Sequence, residues 1–258
     1  MRKTLLLLCA SLAFSLVGLA NDDALLKALA AGDRTARKNA AMQIEQRSVK
    51  DLLALAEESI KSESLEPSAA IYVFHQILCV ASEKGFTVHD AAALIRMPGA
   101  SEFRQALIDW IREFGTKRIN SDDAAGMLPE IDAYFQSKQE TLRFRTTAHK
   151  LSRDLAWKIR VDLNEKENMQ PDQREKMKQL LCGHIDHVCQ VVADSTEADE
   201  AVEVFAGCVP YYRLYAREGL YQDGDLQDAL QQAANQRNRS PKTKKAIQAM
   251  IAELWKAE

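Results

Sequence analysis

The densest run of chemistry-bearing side chains is Cys182-Gly183-His184-Ile185-Asp186-His187-Val188-Cys189. Thiolate and imidazole side by side suit zinc or copper. Helical geometry tests that reading, because each residue turns by about 100°. With Cys182 set to zero, Asp186 falls at about 40° and Cys189 at about −20°, whereas His184 falls at about 200° and His187 at about 140°. One helix cannot aim all four groups at one ion. His184 and His187 could hold a metal only with ligands from another helix, and the sequence identifies none. Met177, Leu180, Leu181, Ile185, Val188, Val191 and Val192 surround the run, making the segment apolar over most of its circumference. It is therefore expected to be a central, buried helix, with His184 a hydrogen-bonded core histidine. No metal and no cofactor is expected.

Cys79, Cys182, Cys189 and Cys208 lie beyond residue 20. Cys182 and Cys189 cannot pair along one helix, where seven residues separate Cα atoms by about 10 Å and a disulfide tolerates at most about 7 Å. Cys182 precedes Ser195 by thirteen residues and Cys208 follows it by thirteen. In an antiparallel hairpin turning at Ser195, the two cysteines would stand at the same height. A Cys182–Cys208 disulfide is expected on that ground, and it would stabilise the fold by roughly 3 kcal/mol. Cys79 and Cys189 would then be buried thiols or a second bridge.

A second cluster is Val209-Pro210-Tyr211-Tyr212-Arg213-Leu214-Tyr215, with Tyr221 close behind. Tyrosines beside an arginine offer flat apolar faces with polar tips, a composition suited to binding peptides or glycans. Tyr211, Tyr212, Arg213, Tyr215 and Tyr221 are the candidate binding residues. Charge is uneven around them. Residues 138–160 carry seven bases against Glu140 and Asp154, and residues 161–203 carry eleven acids against four bases. Such blocks could pair across neighbouring helices or line a groove. Overall the 258 residues carry a formal charge of −3, with no global attraction to nucleic acid. There is no GxGxxG or phosphate-loop cradle, no CxxC, no HExxH and no GxSxG elbow. Enzymatic activity is not the favoured reading.

The elements that must position these residues are helical throughout. Val49, Leu52, Leu53, Ala56 and Ile60 form an apolar stripe at helical spacing, as do Phe103, Leu107, Trp110, Ile111 and Phe114, and Leu151, Leu155, Ile159 and Leu163. Thr87 with Asp90 and Thr196 with Asp199 read as N-terminal capping boxes, and Ser240-Pro241 as a helix start. No segment alternates as a strand would. The expected fold is all-α, with about six antiparallel hairpins: 22–31 with 33–46, 48–62 with 67–84, 87–97 with 100–115, 121–137 with 139–164, 172–193 with 197–217, and 223–236 with 241–257. The polar stretch 164–171 is the expected division if there are two lobes. Ahead of the array, Arg2 and Lys3 precede an uncharged run from Leu5 to Leu19 and small residues at Gly18 and Ala20. That order is expected of a secretory signal cut near Ala20, which would place residues 21–258 in the periplasm or outside the cell. Cys9 follows Leu8, which is wrong for a lipoprotein. No second apolar run is long enough to span a membrane.

Asp33-Arg34-Thr35-Ala36-Arg37-Lys38-Asn39-Ala40-Ala41 resembles the opening helix of a HEAT-type repeat. Leu214-Tyr215-Ala216 through Gly219, Gly224-Asp225 and Asp228-Ala229-Leu230 is similar to the core of a tetratricopeptide repeat. These local resemblances imply an α-solenoid or a compact helical-repeat array whose surface binds a protein, a peptide or a cell-envelope polymer. The competing expectations are a metal- or thiol-dependent protein built on Cys182–Cys189, and an all-α enzyme acting on glycans.

Overall fold

The computed structural model describes residues 22–96, 101–115, 117, 119–165 and 169–256. The expected secretory signal, with Arg2, Lys3, Cys9 and Ala20, lies outside the described residues. The chain is all-α, with no strand among the described residues. Residues 22–30 form α1. There follow α2 (Arg34–Ile44), α3 (Val49–Lys61), α4 (Pro67–Glu83), α5 (Val88–Arg96) and α6 (Ser101–Trp110), which runs into a π-helical turn at Ile111–Gly115. Then come α7 (Ser121–Gln136), α8 (Leu142–Glu165), α9 (Pro171–Ala193), α10 (Asp199–Ala206), α11 (Val209–Arg217), α12 (Asp223–Asn235) and α13 (Pro241–Leu254).

Local chemistry explains many of these boundaries. Asp33 caps α2 by accepting from the Thr35 amide at 2.9 Å. Asn120 and Asp123 close a reciprocal capping box on α7. Thr87 and Asp90 do the same before α5: Asp90 Oδ2 accepts from the Thr87 amide at 2.8 Å and Thr87 Oγ1 from the Asp90 amide at 3.2 Å. Ser240 caps α13 with Pro241 in its first turn. Each such cap satisfies amides that the first helical turn leaves unpaired. Thr196 and Asp199 do not form their expected box. Thr196 instead turns back onto Asp194, and Asp199 accepts from the Ser240 amide at 2.9 Å.

The expected helix over 197–217 is two helices, α10 and α11, meeting at Gly207-Cys208. Pro210 supplies the reason: it has no amide to continue the α10 hydrogen-bond ladder, and it sits comfortably in the first turn of a new helix. At the far end, Gly219 adopts φ 72°, and the Leu220 amide closes back onto the Tyr215 carbonyl at 2.9 Å. Glycine reaches that left-handed conformation at little steric cost.

Two compact units meet in sequence between Trp110 and Ile111. In the first, α3 packs on α4 and α5 on α6, with α6 also touching α3 and α4. Phe74 and Phe103 meet edge to face in its core, 5.9 Å apart. In the second, α7 packs on α8 and α12 on α13, while α9 touches α7, α8, α10 and α12. Helix α9 thus takes the central position that its apolar circumference requires. The 164–171 break stands inside this second unit, between α8 and α9, which pack together; Arg174 Nη2 donates to the Leu163 carbonyl at 2.7 Å across it. No helix among the described residues is long and apolar enough to cross a membrane.

Candidate functional site

Helix α8 carries the site. Its inner face is mostly apolar, with Phe144, Ala148, Leu151, Leu155, Ala156 and Ile159 buried beside Arg145, Thr147, His149 and Ser152. Helical spacing then sends Arg153, Trp157 and Arg160 outward along one stripe. Helix α11 lies alongside and contributes Tyr211, whose ring meets Trp157 at 5.9 Å and a 41° tilt. Lys117, Arg153, Asp154, Trp157, Lys158 and Tyr211 line an open groove of about 580 Å³. Trp157 is 40% exposed there, unusual for so large an apolar side chain.

The groove is cationic. Its one acid, Asp154, is already paired with Arg112 at 3.2 Å and Arg153 at 3.7 Å. Among the described residues neither Lys117 nor Lys158 has an ion-pair partner. Both rings carry a guanidinium on a face: Arg160 lies 4.2 Å from the Trp157 ring centre, and Arg153 lies 5.3 Å from that of Tyr211. Arg160 is fixed in turn by Glu218, whose carboxylate accepts from Arg160 Nε at 2.6 Å and from Asn164 Nδ2 at 3.1 Å. Those partners raise the Arg160 guanidinium further above its ordinary value and hold the Glu218 carboxyl below its own.

Behind Tyr211 the tyrosines serve a different purpose. Tyr212 and Tyr215 are fully buried, which corrects their assignment to a binding surface. Val209, Tyr212 and Tyr215 make the inward stripe of α11, and the Tyr211 ring lies edge-on to that of Tyr212 at 5.4 Å. Arg213 is also committed elsewhere. It donates to the Leu254 carbonyl, pairs with Asp223 at 3.5 Å and lies over the Trp255 ring at 5.0 Å, fastening the end of α13. Tyr221 donates to Asp186 Oδ1 at 2.6 Å. Of the five candidates, only Tyr211 lines the groove.

Tyr212 belongs to a buried polar chain that joins four helices. His184 Nδ1 meets Asp132 Oδ1 at 2.9 Å, and its Nε2 meets the Tyr212 hydroxyl at 2.8 Å. The same hydroxyl lies 3.3 Å from His149 Nε2. His187 reaches the other Asp132 oxygen at 3.3 Å, from a side chain 36% exposed. The Tyr212 hydroxyl thus bridges the Nε2 atoms of His184 and His149, and Asp132 lies on the far side of His184. The His149 Nδ1 is buried with no hydrogen-bond partner. Burial pushes the Asp132 carboxyl upward, but the charge and hydrogen bond of His184, with the hydrogen bond from His187, outweigh it and hold the group well below its ordinary value. Burial, reinforced by His184, pushes His149 down to about 3.

His184 and His187 do share a face, as the helical wheel requires, and a second helix supplies a carboxylate. That carboxylate sits between the imidazoles as a hydrogen-bond acceptor. No cluster suited to a metal ion occurs among the described residues. Among the described residues, Cys79, Cys182, Cys189 and Cys208 are free thiols, which corrects the Cys182–Cys208 pairing. The break at Gly207-Cys208 removes the straight helix on which equal height depended, and each sulfur has its own partner: Cys182 Sγ donates to the Leu220 carbonyl at 3.2 Å and Cys208 Sγ to that of Val204 at 3.5 Å. Burial pushes the thiols of Cys182 and Cys208 up, and that of Cys189 up to about 11. Nucleophilic cysteines need the opposite shift.

The sequence reading missed Asp132 and the placement of Trp157. Asp132 looked like one more helix acid, but it falls one residue after Ile131, within the buried stripe of α7. Trp157 was legible as a large aromatic lying off the phase of the apolar stripe through Leu151, Leu155 and Ile159. No family model, no curated protein and no solved structure matches this chain.

Proposed function

We propose that this protein is a binding protein, working after export, that takes an anionic partner (a protein, a peptide or an envelope polymer) in the groove between α8 and α11. The observation that carries the reading is that Trp157, 40% exposed, lines the groove together with Lys117, Arg153 and Lys158 around an acid already paired with arginines. Exposed aromatic and arginine side chains in a concave site supply binding energy out of proportion to their area. Unpaired lysines at the rim steer an oppositely charged partner. The tandem helix pairs support a helical-repeat scaffold of the HEAT-like or tetratricopeptide-like kind, and the basic, apolar and small-residue order of residues 1–20 supports export.

The test is binding of the full chain to a panel of acidic peptides and acidic oligosaccharides, with basic counterparts as controls. Anionic ligands should bind in a salt-dependent way, and Trp157→Ala or Lys158→Glu should abolish it while the helical circular dichroism stays intact. Equal retention of basic and acidic ligands, or wild-type binding by both variants, would sink the reading.

A further inference from the structure

Which anionic chemistry fits the groove follows from how its rings are already used. A pyranose needs an open aromatic face to stack upon. Here Arg160 covers part of the Trp157 ring and Arg153 covers part of the Tyr211 ring. The two rings are tilted by 41°, so they do not form a shared flat platform. What remains outward is the exposed part of the indole and a set of point charges. Arg153 and Lys158 both line the groove, about 7.5 Å apart along the α8 axis and about 140° apart around it. A flexible chain bearing more than one carboxylate can meet both.

We infer that the groove is a docking site for an acidic peptide segment, with two carboxylates engaging Arg153 and Lys158 and a neighbouring apolar side chain resting on Trp157. Lys117 extends the cationic rim for a further acid. The inference rests on the binding reading above and names the partner's chemistry. Guanidinium and ammonium groups bind carboxylates through charge-assisted hydrogen bonds, and the indole supplies the apolar contact that distinguishes this site from a merely basic patch.

Calorimetry on the full chain would compare three probes: an acetylated peptide with two glutamates two residues apart followed by phenylalanine, the same peptide with glutamines, and an oligogalacturonate. Tryptophan fluorescence in a Trp255→Phe variant gives an independent signal, since the third tryptophan, Trp110, is buried and Trp157 is 40% exposed. The acidic peptide should bind at least about tenfold more tightly than either other probe, the equivalent of about 1.4 kcal/mol. Arg153→Gln and Lys158→Gln should each weaken it severalfold, and Trp157→Ala more, without changing the thermal midpoint. Oligogalacturonate binding as well as or better than the peptide, with the same residue dependence, would overturn the peptide assignment and leave the binding reading standing. Equal binding of the glutamine peptide would overturn the assignment too. Binding of none of the three would overturn both.

Discussion

Tyr211 and Tyr212 are neighbours in sequence with opposite tasks. The Tyr211 hydroxyl can be lost without stranding a buried ring nitrogen. Removing the Tyr212 hydroxyl leaves His184 Nε2 and His149 Nε2 buried without it. A buried polar group deprived of its partner costs about 1–3 kcal/mol. Tyr212→Phe should therefore lower the urea-unfolding free energy by at least that amount, and Tyr211→Phe should change it by less than about 0.5 kcal/mol. Equal effects would mean that the buried chain is not what holds Tyr212 in place. The cysteines give a second check at this scale. Denatured, unreduced protein should titrate as free thiol at Cys79, Cys182, Cys189 and Cys208, and the native protein should react slowly, because burial raises the thiols of Cys182, Cys189 and Cys208. Recovery of Cys182 and Cys208 in one non-reduced peptide would contradict the structure.

At the scale of elements, the turn from α9 to α10 is held by two buried arginines. Arg145 donates to both Glu197 oxygens, at 3.0 and 2.7 Å, and to the Phe135 carbonyl at 2.7 Å. Arg239 donates to the Glu197 and Asp194 carbonyls. Turn carbonyls that α10 and α9 cannot satisfy find donors this way. Arg145→Ala would leave the Glu197 carboxylate, 4% exposed, without its countercharge, and should cost about 3–5 kcal/mol in chemical denaturation. The double change Arg145→Met with Glu197→Leu should recover most of that loss, because no charge then remains buried. If the double variant is no more stable than Arg145→Ala, the pair's charge balance is not the reason for its burial. This turn also marks the limit of legibility. Helix positions were readable because apolar spacing and caps are local signals: the stripes through Leu52, Leu107 and Leu155 and the caps at Thr87 and Ser240 formed, except that Phe114, the last of the Leu107 stripe, falls in the π-helical turn and is 40% exposed. Partners of charged residues were not readable. Glu197 and Arg239 looked like surface charges, and Asp132 like any helix acid, because their meaning depends on residues more than forty positions away in the chain. Tyr211 was legible as a candidate, but choosing it over Tyr212 and Tyr215 required the phase of α11. That phase was set by a helix break that a straight 197–217 segment concealed.

For the molecule as a whole, the buried chain of Asp132, His184, Tyr212 and His149 ties stability to acidity. His149 has a folded value of about 3 against an ordinary 6.5, depressed chiefly by burial. Between those values the unfolded chain binds a proton there and the folded one does not. Its contribution is therefore complete above about pH 6.5 and is lost progressively as the pH falls towards 3, with a slope of about 1.4 kcal/mol per pH unit. Asp132, also held below its ordinary 3.8, acts in the same direction. Its contribution is present above that ordinary value and disappears only at lower pH, so the first part of the acid slope belongs to His149. The groups facing His149 fit that assignment: the charges of His184 and Arg153 disfavour its protonation, and only Asp132 opposes them. Urea denaturation from pH 7.5 down to 4.5 should show stability falling along that slope. His149→Leu should be less stable than wild type at pH 7.5, where the Tyr212 hydroxyl loses a partner, yet flatter between pH 6.5 and 4.5. The two curves should therefore converge on acidification. Parallel curves would mean that His149 titrates in the folded protein as it does in the unfolded chain, and that the four helices around it are not packed tightly enough to exclude water.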